Sequence, residues 1–135
     1  MSATETSTIV TGVDFVSVPT QDIERAVQFY GTKLGLRRSM YKPERNFAEF
    51  ETGTVTLTVV DPERMGIGDF RPNANHLALH VDDVAARKAE LETRGVEFQG
   101  DDVFDTGVCH MAFFNDPDGN ALMLHSRYVP RVPEG

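Results

Sequence analysis

The feature that most constrains the fold is an order of elements that occurs twice along the chain. In the first half, residues 13–18 alternate as a β-strand, with Phe15 and Ser17 on the same face. Asp22 then suits a helix N-cap, and Gly35 lies where that helix is expected to end. Three short strands are predicted after the helix, near residues 36–41, 46–51 and 54–60.

The second half of the chain repeats this order. A strand is predicted over 75–81, an N-cap region at Asp82 and Asp83, and a helix over 84–93 that ends at Gly95. Matching Asp22 with Asp83 also matches Phe15 with His76, although the two halves share little identity. The sequence therefore predicts two βαβββ modules. The second is completed by strands near 96–99, 107–115 and 121–126.

The strands of both modules are largely apolar on both faces, which is typical of a sheet with helices on one side and a pocket on the other. We therefore expect an α+β fold, in which the two βαβββ modules form an open, barrel-like mixed sheet with the helices on its outer face. The predicted organisation is a flexible N-terminus (1–11), one domain (12–128) made of module one (12–60), a Gly/Pro-rich linker (61–74) and module two (75–127), and a C-terminal tail (129–135).

Composition narrows the classes of function. The formal net charge of −8 over 135 residues argues against a nucleic-acid partner. No apolar run is long enough to span a bilayer, and the N-terminus lacks a signal-peptide pattern, so a cytoplasmic protein is expected without a membrane partner. Cys109 is the only cysteine, which excludes an intrachain disulfide and a cysteine metal cluster.

The segment 113–125 carries the most specific motif. Residues 116–119, DPDG, lie between two apolar strands and suit a type I turn. Strand-DPDG-strand near the C-terminus, together with the repeat, resembles the last hairpin of the vicinal oxygen chelate superfamily, which includes glyoxalase I, extradiol dioxygenases and bleomycin-resistance proteins. The resemblance extends from about Val13 to Tyr128. It implies a pocket on the concave face of paired modules and a homodimer.

The resemblance also implies positions for metal ligands. In the superfamily's metalloenzymes, His, Glu and Gln side chains from the first and last strands of each module hold a divalent ion that polarises substrate oxygens. Of the four implied positions, only that of His76 carries a usual ligand, so no cofactor is predicted. The alternative is a divalent metal held by His76 with His125, or with a carboxylate of Glu49 or Glu51. The implied positions are Phe15 and His76 on the first strands, Thr56 (or Thr58, in a register shifted by two) on the fourth strand of module one, and Met123 on the last strand.

Strand parity predicts which side chains would line the pocket. His76 is the candidate acid/base, whereas Cys109 lacks a base because its neighbour His110 is expected to face the other way. The lining is apolar, aromatic and adaptable, with a few hydroxyls, which suits a flat hydrophobic ligand. The predicted ligand-binding residues are Phe15, Ser17, Thr56, Thr58, His76, Ala78, Met111, Phe113, Met123 and His125.

Three functions are compatible with these features. The first is metal-free binding of a small hydrophobic or aromatic molecule, an antibiotic or a metabolite, as the bleomycin-resistance branch suggests. The second is an enzyme of lyase, isomerase or dioxygenase type, with a remodelled metal site or with His76 as acid/base. The third is an accessory or regulatory module that carries a pocket.

Overall fold

The structure, a computed structural model, describes residues 8–132 and has the α+β class expected from the sequence. The predicted flexible N-terminus and C-terminal tail lie partly outside the described residues. In chain order the elements are β1 (Phe15–Pro19), α1 (Ile23–Gln28), β2 (Arg37–Lys42), β3 (Phe47–Glu51), β4 (Thr56–Val60), α2 (Pro62–Met65), β5 (Leu77–His80), α3 (Val84–Thr93), β6 (Phe104–Asp105), β7 (Cys109–Asn115) and β8 (Ala121–Arg127).

The strands form two mixed sheets of the same topology. The first has the order β1-β4-β3-β2 and the second the order β5-β8-β7-β6. In each sheet the first strand pairs in parallel with the last, and the remaining pairs are antiparallel. The duplicated βαβββ order is therefore confirmed. Within the described residues the strands form two separate four-stranded sheets and no closed barrel.

The prediction of a strand at residues 96–99 is wrong. Phe98 makes only a single bridge with Phe114, and the fourth strand of the second sheet is Phe104–Asp105 instead. The chain passes between them through Gly100, which adopts a φ of +90°. A left-handed residue interrupts an extended chain, so the strand cannot continue from Phe98.

Both main helices begin at the predicted aspartates. Asp22 accepts a hydrogen bond from the backbone N–H of Arg25 at 3.1 Å, and Asp83 accepts one from Ala86 at 3.0 Å. The first helix continues into a π-helical turn and ends before Gly35, which has a φ of +75°. The same kind of cap opens α1 and α3, and each helix follows the first strand of its βαβββ module.

The linker contains a short helix that the sequence analysis did not identify. Asp61 caps it by accepting from the Arg64 N–H at 3.1 Å, and Pro62 occupies its first turn. The Asp61-Pro62 pair is a helix-start signal within the segment expected to be a Gly/Pro-rich linker. Among residues 8–132, no helix has both the length and the apolar character needed to cross a membrane.

The DPDG segment forms the predicted turn and also joins the two halves. The Gly119 N–H donates to the carbonyl of Asp116 at 3.0 Å, which closes the turn. The carboxylate of Asp118 accepts from the Thr20 hydroxyl at 2.6 Å and from the Arg25 guanidinium at 2.9 Å. These contacts fix the first half against the second through the side of the molecule that carries the helices.

Candidate functional site on the open faces of the sheets

Each sheet has one face covered by helices and one face without them. On β3 and β4 the side chains of Ala48, Phe50, Leu57 and Val59 are fully buried in a core shared with Tyr30. Alternate residues point the other way, onto what we call the open face. The open face of the first sheet carries Phe15, Ser17, Glu49, Glu51, Thr56 and Thr58; that of the second carries Ala78, His80, Phe104, Met111, Phe113, Met123 and His125.

The open face of the second sheet is aromatic and thioether-rich. Phe113 lies opposite Met123, and its ring centroid is 6.5 Å from that of Phe104. The ring of His76, just before β5, meets Phe113 edge-on with centroids 4.9 Å apart. Phe104 is 57% exposed, so this surface is accessible within one chain. Edge-on and offset rings of this kind offer a flat partner both stacking and edge contacts.

The open face of the first sheet is polar and acidic. Glu51 accepts hydrogen bonds from the Ser39 hydroxyl at 2.5 Å and from the Thr56 hydroxyl at 2.9 Å. These hydrogen bonds, with a smaller effect from the nearby Arg37 guanidinium, lower the pKa of Glu51 below its usual range. Glu51 is therefore a carboxylate at neutral pH.

Glu49 and Thr58 form a cross-strand pair in the middle of this face. Thr58 is only 6% exposed, yet its hydroxyl oxygen has no hydrogen-bond partner within the described residues. Glu49 is half-buried, and in the same part of the chain its carboxylate makes neither a salt bridge nor a hydrogen bond. A buried hydroxyl without a hydrogen-bond partner lowers the free energy of unfolding, so this position is unfavourable for stability alone.

The ten side chains expected from the sequence fall into two groups on different sheets. Phe15, Ser17, Thr56 and Thr58 lie together on the first sheet, where Phe15 is 57% exposed. Ala78, Met111, Phe113, Met123 and His125 lie together on the second sheet, with His76 beside them. Phe104 also lies on this face but is not predicted from the sequence, because a two-residue strand has no alternation from which a face can be predicted.

The strand register settles which threonine corresponds to Met123. Ser17 lies opposite Thr58, whereas Ala78, its counterpart in the second half, lies opposite Met123. Thr58 rather than Thr56 is therefore the equivalent of Met123.

The side chains at the four implied ligand positions do not fit a divalent ion. They are a phenyl ring, a hydroxyl, an imidazole and a thioether, of which only the imidazole is a usual ligand. Within residues 8–132, no three His, Cys, Asp or Glu side chains gather closely enough to hold a metal.

Cys109 and His110 do not form a nucleophile and base pair. His110 lies opposite Asp105 across the strands, and its Nε2 is 3.4 Å from the Asp105 carboxylate. Cys109 is buried, and its Sγ is 4.0 Å from Nη1 of Arg127. The two neighbours have opposite strand parity and different partners, as expected from the sequence.

The sequence model of the Glyoxalase/Bleomycin resistance protein/Dioxygenase superfamily matches residues 12–124. The chain belongs to this superfamily. The resemblance deduced from the repeat and the DPDG hairpin is therefore confirmed. No curated protein sequence gives a significant match.

Solved structures with the same fold have different functions. A glyoxalase family protein from Bacillus anthracis is 22% identical, with a TM-score of 0.77 over 90% of this chain and 99% of that chain. A lactoylglutathione lyase from Agrobacterium tumefaciens is 19% identical, with a TM-score of 0.71 over 87% and 95%. TnmS3, an antibiotic-binding protein from Streptomyces sp. CB03234, is 28% identical, with a TM-score of 0.73 over 90% and 99%.

Proposed function

We propose that this superfamily member binds a flat hydrophobic or aromatic small molecule and does so without a metal. The observation that carries the proposal is the open face of the second sheet, where Phe104, Met111, Phe113 and Met123 form one apolar surface. Aromatic rings and flexible thioethers adapt to ligands of different outline. An aromatic molecule that loses about 150 Å² of apolar surface there would gain about 4 kcal/mol.

The antibiotic-binding neighbour supports a binding function rather than identifying the ligand. It is 28% identical to this chain and almost fully covered by the alignment. That protein is named as an antibiotic-binding protein, so the fold is compatible with a binding function. The ligand class proposed here follows from the side chains of this chain, and an antibiotic or a metabolite of that class would satisfy it.

A homodimer would supply the second wall of the pocket. Within one chain the two halves contact each other through Phe29 and Phe114, with ring centroids 6.4 Å apart, and through the Tyr30–Asp116 hydrogen bond of 2.6 Å. These contacts use the side with the helices and leave Phe15 and Phe104 exposed on the open faces. A second copy that covers these faces would exclude water from a bound ligand.

Fluorescence of N-phenyl-1-naphthylamine tests the binding proposal. Phe113→Ala and Met123→Ala should each weaken binding about tenfold, because each removes apolar surface from the ligand. Met65→Ala is the matched control, since Met65 lies on α2 and belongs to neither sheet. Each variant is checked for folding by circular dichroism.

A chelator tests the metal-free part of the same proposal. Treatment with EDTA should leave the dissociation constant of the dye unchanged, and elemental analysis of protein purified without chelator should find much less than one metal per chain. Dye binding that disappears with EDTA and returns with a divalent ion would overturn the metal-free proposal. Equal binding by wild type and both open-face variants would overturn the proposed site.

The position of His76 favours a second candidate function, acid/base catalysis. Its imidazole lies against Phe113 at the edge of the same surface, where it could exchange a proton with a bound enolisable substrate. His76→Gln separates the two functions, since it should abolish proton exchange with solvent in such a substrate while weakening dye binding less than Phe113→Ala does.

A further inference from the structure

We propose that Glu49 and Thr58, on the open face of the first sheet, bind a protonated amine of the ligand. This proposal rests on the proposed function, because the aromatic part of the same ligand would lie on the second sheet. It adds the chemical class of the ligand, which is a cationic amine attached to a flat ring system. Three features of this face favour a bound amine.

The first feature is the carboxylate of Glu49, which has no counter-ion among residues 8–132. Glu49 lies in the middle of the sheet, opposite Met40 on one side and Thr58 on the other. The two basic side chains of β2 on this face are Arg37, opposite Glu51, and Lys42, opposite Phe47. Within the described residues neither forms a salt bridge with Glu49. A half-buried carboxylate in this state attracts a cation more strongly than an exposed one, because water screens it less.

The second feature is the hydroxyl of Thr58, for which the described part of the chain offers no hydrogen-bond partner. The residue is more than nine-tenths buried and stands directly across from Glu49. Its oxygen can accept a hydrogen bond, as can the Glu49 carboxylate. An ammonium group has three donors and no acceptor, so it can satisfy both oxygens at once.

The third feature is a second carboxylate, that of Glu51, in the cross-strand pair next to Glu49 and Thr58 on the same face. Glu51 is held in place by Ser39 and Thr56 and stays ionised, so it adds negative potential but has fewer free lone pairs. An anionic ligand would face two carboxylates and is disfavoured. A neutral polar group could use Thr58 but would gain nothing from the charge of Glu49. The site therefore selects by charge as well as by shape.

The experiment compares three ligands of nearly the same shape by isothermal titration calorimetry: 1-naphthylmethylammonium, 1-naphthalenemethanol and 1-naphthoate. Wild-type protein should bind the ammonium about tenfold more tightly than the alcohol, and the carboxylate most weakly. Glu49→Gln should reduce that preference to about twofold or less while leaving the affinity for the alcohol unchanged. Glu97→Gln, which removes the same charge from an exposed loop of the other half, should keep the full preference.

Thr58→Val separates ligand binding from a merely structural role. Removing this buried hydroxyl, which lacks a hydrogen-bond partner within residues 8–132, should raise the melting temperature of the ligand-free protein by about 3 °C. The same variant should bind the ammonium about threefold more weakly. A residue with only a structural role would not show higher stability together with weaker binding.

The outcomes distinguish this proposal from the one on which it rests. If all three naphthalenes bind equally and Glu49→Gln changes nothing, amine recognition is wrong and the apolar pocket stands. If none of the three binds, the proposed function fails, and this inference fails with it. Tightest binding of the naphthoate would overturn the charge assignment alone.

Discussion

Asp116 shows how one buried side chain can link two distant parts of the chain. Its carboxylate accepts from the Tyr30 hydroxyl at 2.6 Å and from the Asn120 amide at 2.8 Å. Burial, together with the Asp116 carboxylate, raises the pKa of Tyr30 far above its usual value. Tyr30 therefore stays protonated and remains a donor. Without the Tyr30 hydroxyl, the buried Asp116 carboxylate would lose one of its hydrogen-bond donors.

Removing the Tyr30 hydroxyl should destabilise the protein. We expect Tyr30→Phe to lower the free energy of unfolding by about 2 kcal/mol, because a hydrogen bond to a buried carboxylate is lost. Urea denaturation followed by circular dichroism measures this difference.

Tyr41→Phe is the control for this substitution, since the Tyr41 hydroxyl makes no hydrogen bond to any residue in 8–132. It should change the free energy of unfolding by less than about 0.5 kcal/mol. Equal losses in the two variants would show that the Tyr30–Asp116 bond does not stabilise the contact between the halves.

At the level of elements, the two halves use the same local signals to place their helices. The sequence offered two adjacent aspartates before α3, and only Asp83 caps the helix. Asp82 is fully exposed and lies 3.1 Å from the His80 ring instead. The aspartates therefore differ in effect because only one has its carboxylate over the first turn.

This difference predicts unequal effects for two neighbouring alanine substitutions. Asp83→Ala should lower the free energy of unfolding by about 1 kcal/mol through loss of the cap. Asp82→Ala should stay within about 0.5 kcal/mol of wild type, as an exposed substitution. Thermal unfolding of the two variants side by side gives the comparison. Similar melting temperatures for both would contradict the assignment of the cap.

At the scale of the whole molecule, the open faces remain exposed after the two halves have packed together. Large apolar side chains exposed on a sheet face are typical of a surface that another molecule covers. Phe15 and Phe104 are each 57% exposed on these faces. The proposed dimer would bury them and enclose the ligand.

Sedimentation velocity tests the dimer. The chain has a mass of 15.0 kDa, and wild-type protein should sediment as two copies. Phe15→Glu should shift it to one copy, because a carboxylate in a closed interface is strongly disfavoured. Ile67→Glu, at a 68% exposed site outside both sheets, should remain a dimer. Wild-type protein that sediments as a monomer at all concentrations would contradict the proposed dimer.

Much of the candidate site could be predicted because strand parity is a local property. Alternation along β1 and β7 places Phe15 with Ser17 and Met111 with Phe113 whatever the rest of the chain does. Phe104 could not be found in this way, since β6 has only two residues. The pairing of Glu49 with Thr58 depends on the register between strands, which no pattern within one strand reveals.

The sequence by itself determined the duplicated order of elements, the helix caps, the DPDG turn and the two faces of most strands. All of these depend on residues within a few positions of one another. Only the tertiary structure decided that the turn holds Tyr30 and Arg25 across 86 and 93 residues. It also decided that the strands form two separate sheets and that the buried Thr58 hydroxyl faces the Glu49 carboxylate. Contacts between distant residues depend on how the whole chain closes and packs, and local periodicity does not contain that information.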